Sequence, residues 1–292
     1  MLDTTKPWAK YDLLDVHSHV GETAIAHAAN FAGTGAIDAA TELRLRLEAM
    51  DEGAIAQAVV SPGHSYDRTD GIAATRREND RIAAYRDAMP ERFPYAAGIV
   101  EPLDLRGGPD ELRRIRDELG IVAVTFHTEF QGVVMDAAPM LRLLELMTEL
   151  GMVALIHAPN DSISEQSWRL AKVARAFPDL RIIAIEPFFT FEGLLACDLV
   201  ADVAPNVLFE TASVSDTDVF RSFVHRWGAS RIAYGSHIYS TSDRSARSGK
   251  TAKAERLRAE MAAYDLSDDD KRAMFGGNTR RLFLEASRNL GS

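Results

Sequence analysis

The sequence predicts an α/β fold, a (β/α)8 barrel, on three observations. Eight short apolar runs alternate with helix-length segments along 292 residues, a length that suits one such barrel. The runs are continuously apolar rather than alternating, as expected of parallel strands covered on both faces. The residues that close the runs are unusually polar, and in a barrel those ends meet on one face, where active sites lie. An open, doubly wound sheet is the alternative. It more often carries a glycine-rich nucleotide turn after its first strand, where this chain has His17-Ser18-His19.

The first run, Leu13 to Val16, leads into His17 and His19. Alternate side chains of a strand point the same way, so the two imidazoles can meet at one point. Residues 22–40 read as an insertion after this strand, with His27 assigned no role. A helix over Thr41 to Asp51, read from Leu43, Leu45, Leu47 and Met50, leads to a second strand, Ala54 to Val60, closed by Ser61-Pro62-Gly63.

The alternation then repeats. Helices are expected over Gly71–Met89, Pro109–Leu119, Pro139–Leu150, Ser164–Phe177, Phe189–Val203 and Asp216–Trp227. Between them lie strands over Tyr95–Val100, Ile121–Phe126, Met152–Ile156, Arg181–Ile185 and Val207–Glu210, with Ile232–Tyr234 as the last. Helices at about 250–290 complete one domain covering 1–292.

A formal net charge of -10 lacks the clustered Lys and Arg of a nucleic-acid partner. The N-terminus has no apolar signal core, and no run approaches the roughly 18 apolar residues that span a membrane. The expectation is a cytoplasmic protein with a small-molecule substrate; a homo-oligomer is compatible with it. The single cysteine, Cys197, excludes an internal disulfide and reads as a buried thiol.

Of the 8 histidines, His17, His19, His127, His157 and His237 stand at predicted strand ends, beside Glu129, Glu186 and Glu210. Convergent imidazoles and carboxylates at that face are what a metal site requires. The bland alternative is a set of polar caps lining a metal-free pocket. The donors suit one or two divalent ions, iron, zinc or manganese. A metal-activated water would attack a polarised carbonyl, with Glu186 or Glu210 as general base and Glu186 alternatively a ligand.

Other candidates carry two readings each. His64 is a substrate contact or an exposed loop residue, and Tyr239 is equally ambiguous. Arg244 and Arg247, in the polar segment after the eighth strand, belong to a lid over an anionic substrate or to a solvated loop. Phe188, Phe189 and Phe191 form an apolar wall over the site or ordinary packing. His225 has a structural role.

The chain resembles the amidohydrolase superfamily, in particular the branch containing aminocarboxymuconate-semialdehyde decarboxylase-like enzymes. The resemblance rests on Asp15-Val16-His17-Ser18-His19, Val124-Thr125-Phe126-His127 with Phe130-Gln131-Gly132, and Leu155-Ile156-His157-Ala158. Arg231-Ile232-Ala233-Tyr234-Gly235-Ser236 and Gly277-Asn278-Thr279-Arg280-Arg281-Leu282-Phe283 complete it. It implies His17, His19 and His157 as metal ligands, and a bridging role for a fourth-strand residue such as Glu129 in dinuclear relatives, with His127 beside it as a catalytic candidate.

Two positions depart from the pattern: Glu186 stands where relatives usually have histidine, and His237 where they usually have aspartate. The exchange preserves the total of imidazoles and carboxylates, which favours a rearranged site over a decayed one. Decarboxylation in relatives leans on those two residues. The expected function is therefore a metal-dependent hydrolase acting on an amide, ester, lactone or thioester. The alternatives are a metal-dependent non-oxidative decarboxylase or a catalytically altered binding protein.

Overall fold

A computed structural model describes residues 1–21, 38–237, 250–288 and 290. It contains eight parallel strands in sequential order: β1 Leu13–Val20, β2 Ile55–Pro62, β3 Tyr95–Ile99, β4 Ala123–Phe126, β5 Val153–His157, β6 Arg181–Ile185, β7 Val207–Glu210 and β8 Ile232–Ala233. Two backbone bonds join the ends of the sheet, Val16 N–H to the Tyr234 carbonyl and His237 N–H to the His17 carbonyl, each 2.9 Å. The (β/α)8 barrel expected from the alternation is therefore the fold.

Helices connect the strands: α1 Ala39–Glu52, α2 Ile72–Ala88, α3 Gly107–Asp117, α4 Ala138–Glu149, α5 Ser167–Ala176, α6 Phe191–Val203 and α7 Thr217–Trp227. After β8 come α8 Lys250–Ala263, α9 Asp268–Arg272 and α10 Asn278–Ser287. No described helix is long and apolar enough to cross a membrane.

The barrel interior is an apolar layer in which Leu14, Val59, Leu155, Ile183 and Leu208 pack on Phe283 of α10. The continuous apolar runs are explained by this: one face of each strand fills the interior and the other meets the helices. Asn278 ties α10 to the barrel by donating to the carbonyls of Ala229 and Ile232 at 2.9 and 2.8 Å. Cys197 is buried on α6 near the Pro187 carbonyl, as expected.

Two of the boundaries that differ from the sequence reading lie near the site. The helix expected from Ser164 starts at Ser167 instead. Asn160 adopts a left-handed backbone (φ 66°) and its carboxamide oxygen accepts from Ser167 N–H at 3.1 Å, while Ser162 caps a short 3-10 turn, Ile163–Glu165. That turn carries Glu165 inward. The last strand ends at Ala233 because Tyr234 N–H turns to the Met274 carbonyl, 3.1 Å away.

The exit of β1 is held from behind by Arg46 of α1. This fully buried guanidinium donates to Glu42 at 3.0 Å, to the Ser18 hydroxyl and to the His19 carbonyl. Tyr85 donates to the other Glu42 oxygen at 2.8 Å. Arg46→Met is expected to cost about 3–5 kcal/mol, because it strands a buried carboxylate. Chemical denaturation checks this, and an unchanged midpoint would refute it.

Candidate active site

The strand ends open on a cavity of about 440 Å³, a size that suits a small molecule. His17, His19, His64, His127, His157 and His237 all line it. The five histidines expected at strand ends thus converge, joined by His64 from the loop after β2. Glu186, Thr125, Ser213, Phe130 and Phe189 complete much of the wall.

His17 and His19 are buried on the same side of β1. Asp15, two residues earlier, accepts from the backbone N–H of His17 and of Ser236, each at 3.0 Å, and from the Ser236 hydroxyl. It thereby pins β1 to the chain leaving β8. Burial pushes the Asp15 carboxyl up to about 6 against those hydrogen bonds. His19 Nδ1 lies 2.9 Å from the Pro62 carbonyl, which as an acceptor fixes the proton on Nδ1 and directs Nε2 into the site.

His17 Nδ1 faces Glu210 Oε2 at 3.5 Å, and the two Nε2 atoms of His17 and His19 stand 3.0 Å apart. His237 stacks on His17, ring centroids 4.5 Å apart. Burial, reinforced by neighbouring imidazoles, holds His17 and His19 well below the usual histidine range and therefore neutral.

Glu186 is the hub opposite. Its Oε2 lies 2.9 Å from His157 Nε2, and its Oε1 accepts from the Ser213 hydroxyl at 2.6 Å and meets His237 Nδ1 at 2.7 Å. Burial alone would raise the Glu186 carboxyl, but His237 and His157 hold it well below its usual range. Glu186, Ser213 and His237 all have left-handed backbones, φ 54°, 59° and 54°. Such conformations cost non-glycine residues about 1–3 kcal/mol each and concentrate at functional sites. Here the three strained residues touch.

Behind the hub sits Glu165, fully buried. One carboxylate oxygen lies 2.9 Å from His127 Nδ1 and the other 2.6 Å from His157 Nδ1, and the two rings stack at 3.7 Å. Burial opposes charge on both partners, yet the carboxylates of Glu165 and Glu186 push His157 up to about 10. The same imidazoles hold Glu165 well below its usual range against its own burial.

Other predicted residues are placed less centrally. Glu210 is fully buried beneath the site and does not line the cavity. It accepts from Glu186 N–H at 2.9 Å and from Ala212 N–H at 2.5 Å, and burial pushes it up to about 8. Gly235 has no side chain for this reason, since a Cβ there would fall 2.0 Å from Glu210 Oε1.

Glu129 stands exposed on the rim, near Asp161 and Glu165. His64 is buried, 3.2 Å from the Thr125 hydroxyl, and not an exposed loop residue. Phe189 lines the cavity, Phe188 packs in the core and Phe191 is exposed. His225 lies on α7, away from the cavity. His27, Tyr239, Arg244 and Arg247 fall outside the described residues. Sequence reasoning did not single out Glu165, Ser213 or Asp15; for Asp15 the period of β1 offered a signal, whereas Glu165 and Ser213 depend on loop geometry.

The donor set fits a divalent metal. Two imidazoles on one tetrahedral ion with bonds of about 2.0–2.1 Å stand about 3.3 Å apart. The 3.0 Å between the His17 and His19 Nε2 atoms is close to that, and His237 adds a ring nitrogen within 4.8 Å of both.

Among curated proteins none matches this sequence. Several solved structures share the fold. 5-carboxyvanillate decarboxylase from Sphingomonas paucimobilis is 17% identical, with TM-score 0.68, over 94% of this chain and 99% of that one. A dihydroxybenzoic acid decarboxylase from a Polaromonas species, with bound manganese, is 18% identical at TM-score 0.67, covering 96% and 99%. 4-oxalomesaconate hydratase from Rhodopseudomonas palustris is 18% identical at TM-score 0.69, covering 95% and 97%.

The amidohydrolase family model matches residues 46–284. That match begins after β1, so it is independent of the His17 and His19 pair. Barrel, imidazole-lined strand ends and family match agree, and the chain belongs to the amidohydrolase family.

Proposed function

We propose that this protein is a metal-dependent non-oxidative decarboxylase of a small unsaturated or aromatic carboxylic acid. The observation that carries this reading is the saturation of Glu186. Hydrolysis by an activated water needs a carboxylate able to take a proton. Glu186 already meets His157, His237 and Ser213, and Glu210 lies under the cavity floor.

Decarboxylation needs the opposite. It replaces a carbon–carbon bond by a carbon–hydrogen bond, so the site must give a proton as carbon dioxide leaves. The cavity is lined by six imidazoles. His157 Nε2 stands 2.9 Å from Glu186, and with its imidazole pushed up to about 10 it is the group that would pass a proton to the carbon losing its carboxylate. The bond pair left on that carbon takes the proton.

His17, His19 and His237 would hold a divalent ion, iron, zinc or manganese, which supplies a positive charge to orient the substrate carboxylate or a neighbouring oxygen. Phe130 and Phe189 offer apolar faces to a ring. The similar solved structures include two decarboxylases of aromatic acids, which supports the same class.

A panel of hydroxylated benzoates, incubated with the metal-loaded protein in D2O, tests this. The expected result is release of carbon dioxide with one deuterium at the vacated carbon. Acid release from amides, lactones or thioesters without carbon dioxide from any acid would restore the hydrolase reading. No turnover of either panel would leave a binding protein.

A further inference from the structure

We infer that His127 decides which way round the substrate lies, its Nε2 serving as an acceptor for a hydroxyl hydrogen carried on the ring of the acid. This rests on the decarboxylase reading above and names a group that the acid must carry.

The cause lies behind the imidazole, in Glu165. One oxygen of this buried carboxylate accepts from His127 Nδ1 at 2.9 Å, from the Thr128 hydroxyl at 3.3 Å and from Glu129 N–H at 3.1 Å, while the other meets His157 Nδ1 at 2.6 Å. An ionised carboxylate can only accept, so the proton of a neutral His127 ring sits on Nδ1. Nε2 keeps its lone pair. It points away from Glu165 on a ring that lines the cavity, and no described residue donates to it. This holds whichever of the strand-end imidazoles take the metal.

The neighbours keep the ring neutral. His157 stacks on it at 3.7 Å, so two imidazolium cations there would repel, and burial holds His127 below its usual range. Next to it, His64 is already engaged, with Nε2 3.2 Å from the Thr125 hydroxyl.

A lone pair backed by a buried anion discriminates in one direction. It takes a hydroxyl hydrogen, repels a carboxylate and offers nothing to an ether oxygen. The carboxylate of the acid is therefore directed toward the imidazoles of β1, away from Glu165, and the hydroxyl toward His127. Phe130, edge-on to His127 with ring centroids 4.5 Å apart, gives the ring that bears the hydroxyl an apolar contact. Drawing the phenolic hydrogen toward Nε2 also leaves electron density on that ring, one carbon of which must take a proton as carbon dioxide leaves.

Calorimetric affinities of metal-loaded wild type and His127→Phe for the three monohydroxybenzoates and the three matching methoxybenzoates test this. At one ring position at least, wild type is expected to prefer the hydroxyl acid to its ether by about 10-fold or more, and His127→Phe to reduce that preference below about threefold. An acceptor separates the two acids in this way, whereas an N–H donor would bind both oxygens. No preference in wild type, or one that survives in His127→Phe at every position, overturns the inference and leaves the decarboxylase reading intact. Wild type that binds none of these acids overturns that reading, and this inference with it.

Should His127→Phe fail to fold, wild type with 15N-labelled histidine decides. The unprotonated Nε2 resonance of His127, assigned through its contact with Phe130, is expected to shift on adding the preferred hydroxyl acid and not on adding its ether. An unchanged resonance, or a protonated Nε2 in the free protein, overturns the inference.

Discussion

Glu186→Gln is expected to lower kcat by roughly 10²–10⁴-fold while the barrel stays folded. The carboxylate is the common acceptor for His157, His237 and the Ser213 hydroxyl. An amide of the same shape keeps one acceptor oxygen and adds two donors, so at least one of the two imidazoles meets an N–H instead of a lone pair. The His157 proton then loses the anion that holds it at the cavity wall.

On the proposed centre, with Glu186 behind His237 rather than on the metal, bound metal should fall by no more than about 10–100-fold, the usual effect of removing a carboxylate behind a ligand. The measurement is kcat and KM together with metal content. Full retention of kcat would remove Glu186 from the chemistry. Loss of metal to background would make it a direct ligand.

The architecture was legible because it depends on periodicities a sequence displays. Seven of the eight strands begin within one residue of the expected positions and β4 two residues later, because continuous apolar runs mark strands buried on both faces. The convergence of His17, His19, His127, His157 and His237 followed from the strand ends alone. The exchange at positions 186 and 237 was also visible as an exchange of residue types. That the two side chains meet at 2.7 Å was not, because it depends on left-handed backbones at both positions. Neither residue is a glycine or asparagine, so nothing in the sequence announces that conformation.

Glu165 shows the other limit. A helix expected from Ser164 puts Glu165 in its first turn, and only the turn set by Asn160 and Ser162 brings it inside. Local capping outcompeted helix propensity. The expectation of hydrolysis failed to weigh a related point. It counted carboxylates at strand ends without knowing which already had partners, and both Glu186 and Glu210 do.

Glu165→Gln is the second large effect, because this one carboxylate receives both His127 and His157. The amide oxygen can serve one imidazole, and the other is left facing an NH2 group in a buried place. Breaking a buried charged pair in this way costs about 3–5 kcal/mol.

The cost depends on pH with a defined sign. His157 is raised from 6.5 to about 10 in the fold, so its pairing stabilises fully below about pH 6.5 and is lost as pH rises through about 10. Glu165 is lowered, so its own contribution is present above its unfolded value of 4.5 and is lost as pH falls below it. The difference in stability between wild type and Glu165→Gln should therefore be largest near pH 5–6.5 and shrink toward pH 10. Denaturation midpoints across that range measure it, and a difference constant with pH would mean that Glu165 fills space without holding the two imidazoles by charge. Its positioning role has a separate readout: kcat should fall in the folded variant, with bound metal unchanged if the centre is the three imidazoles on the far side of Glu186.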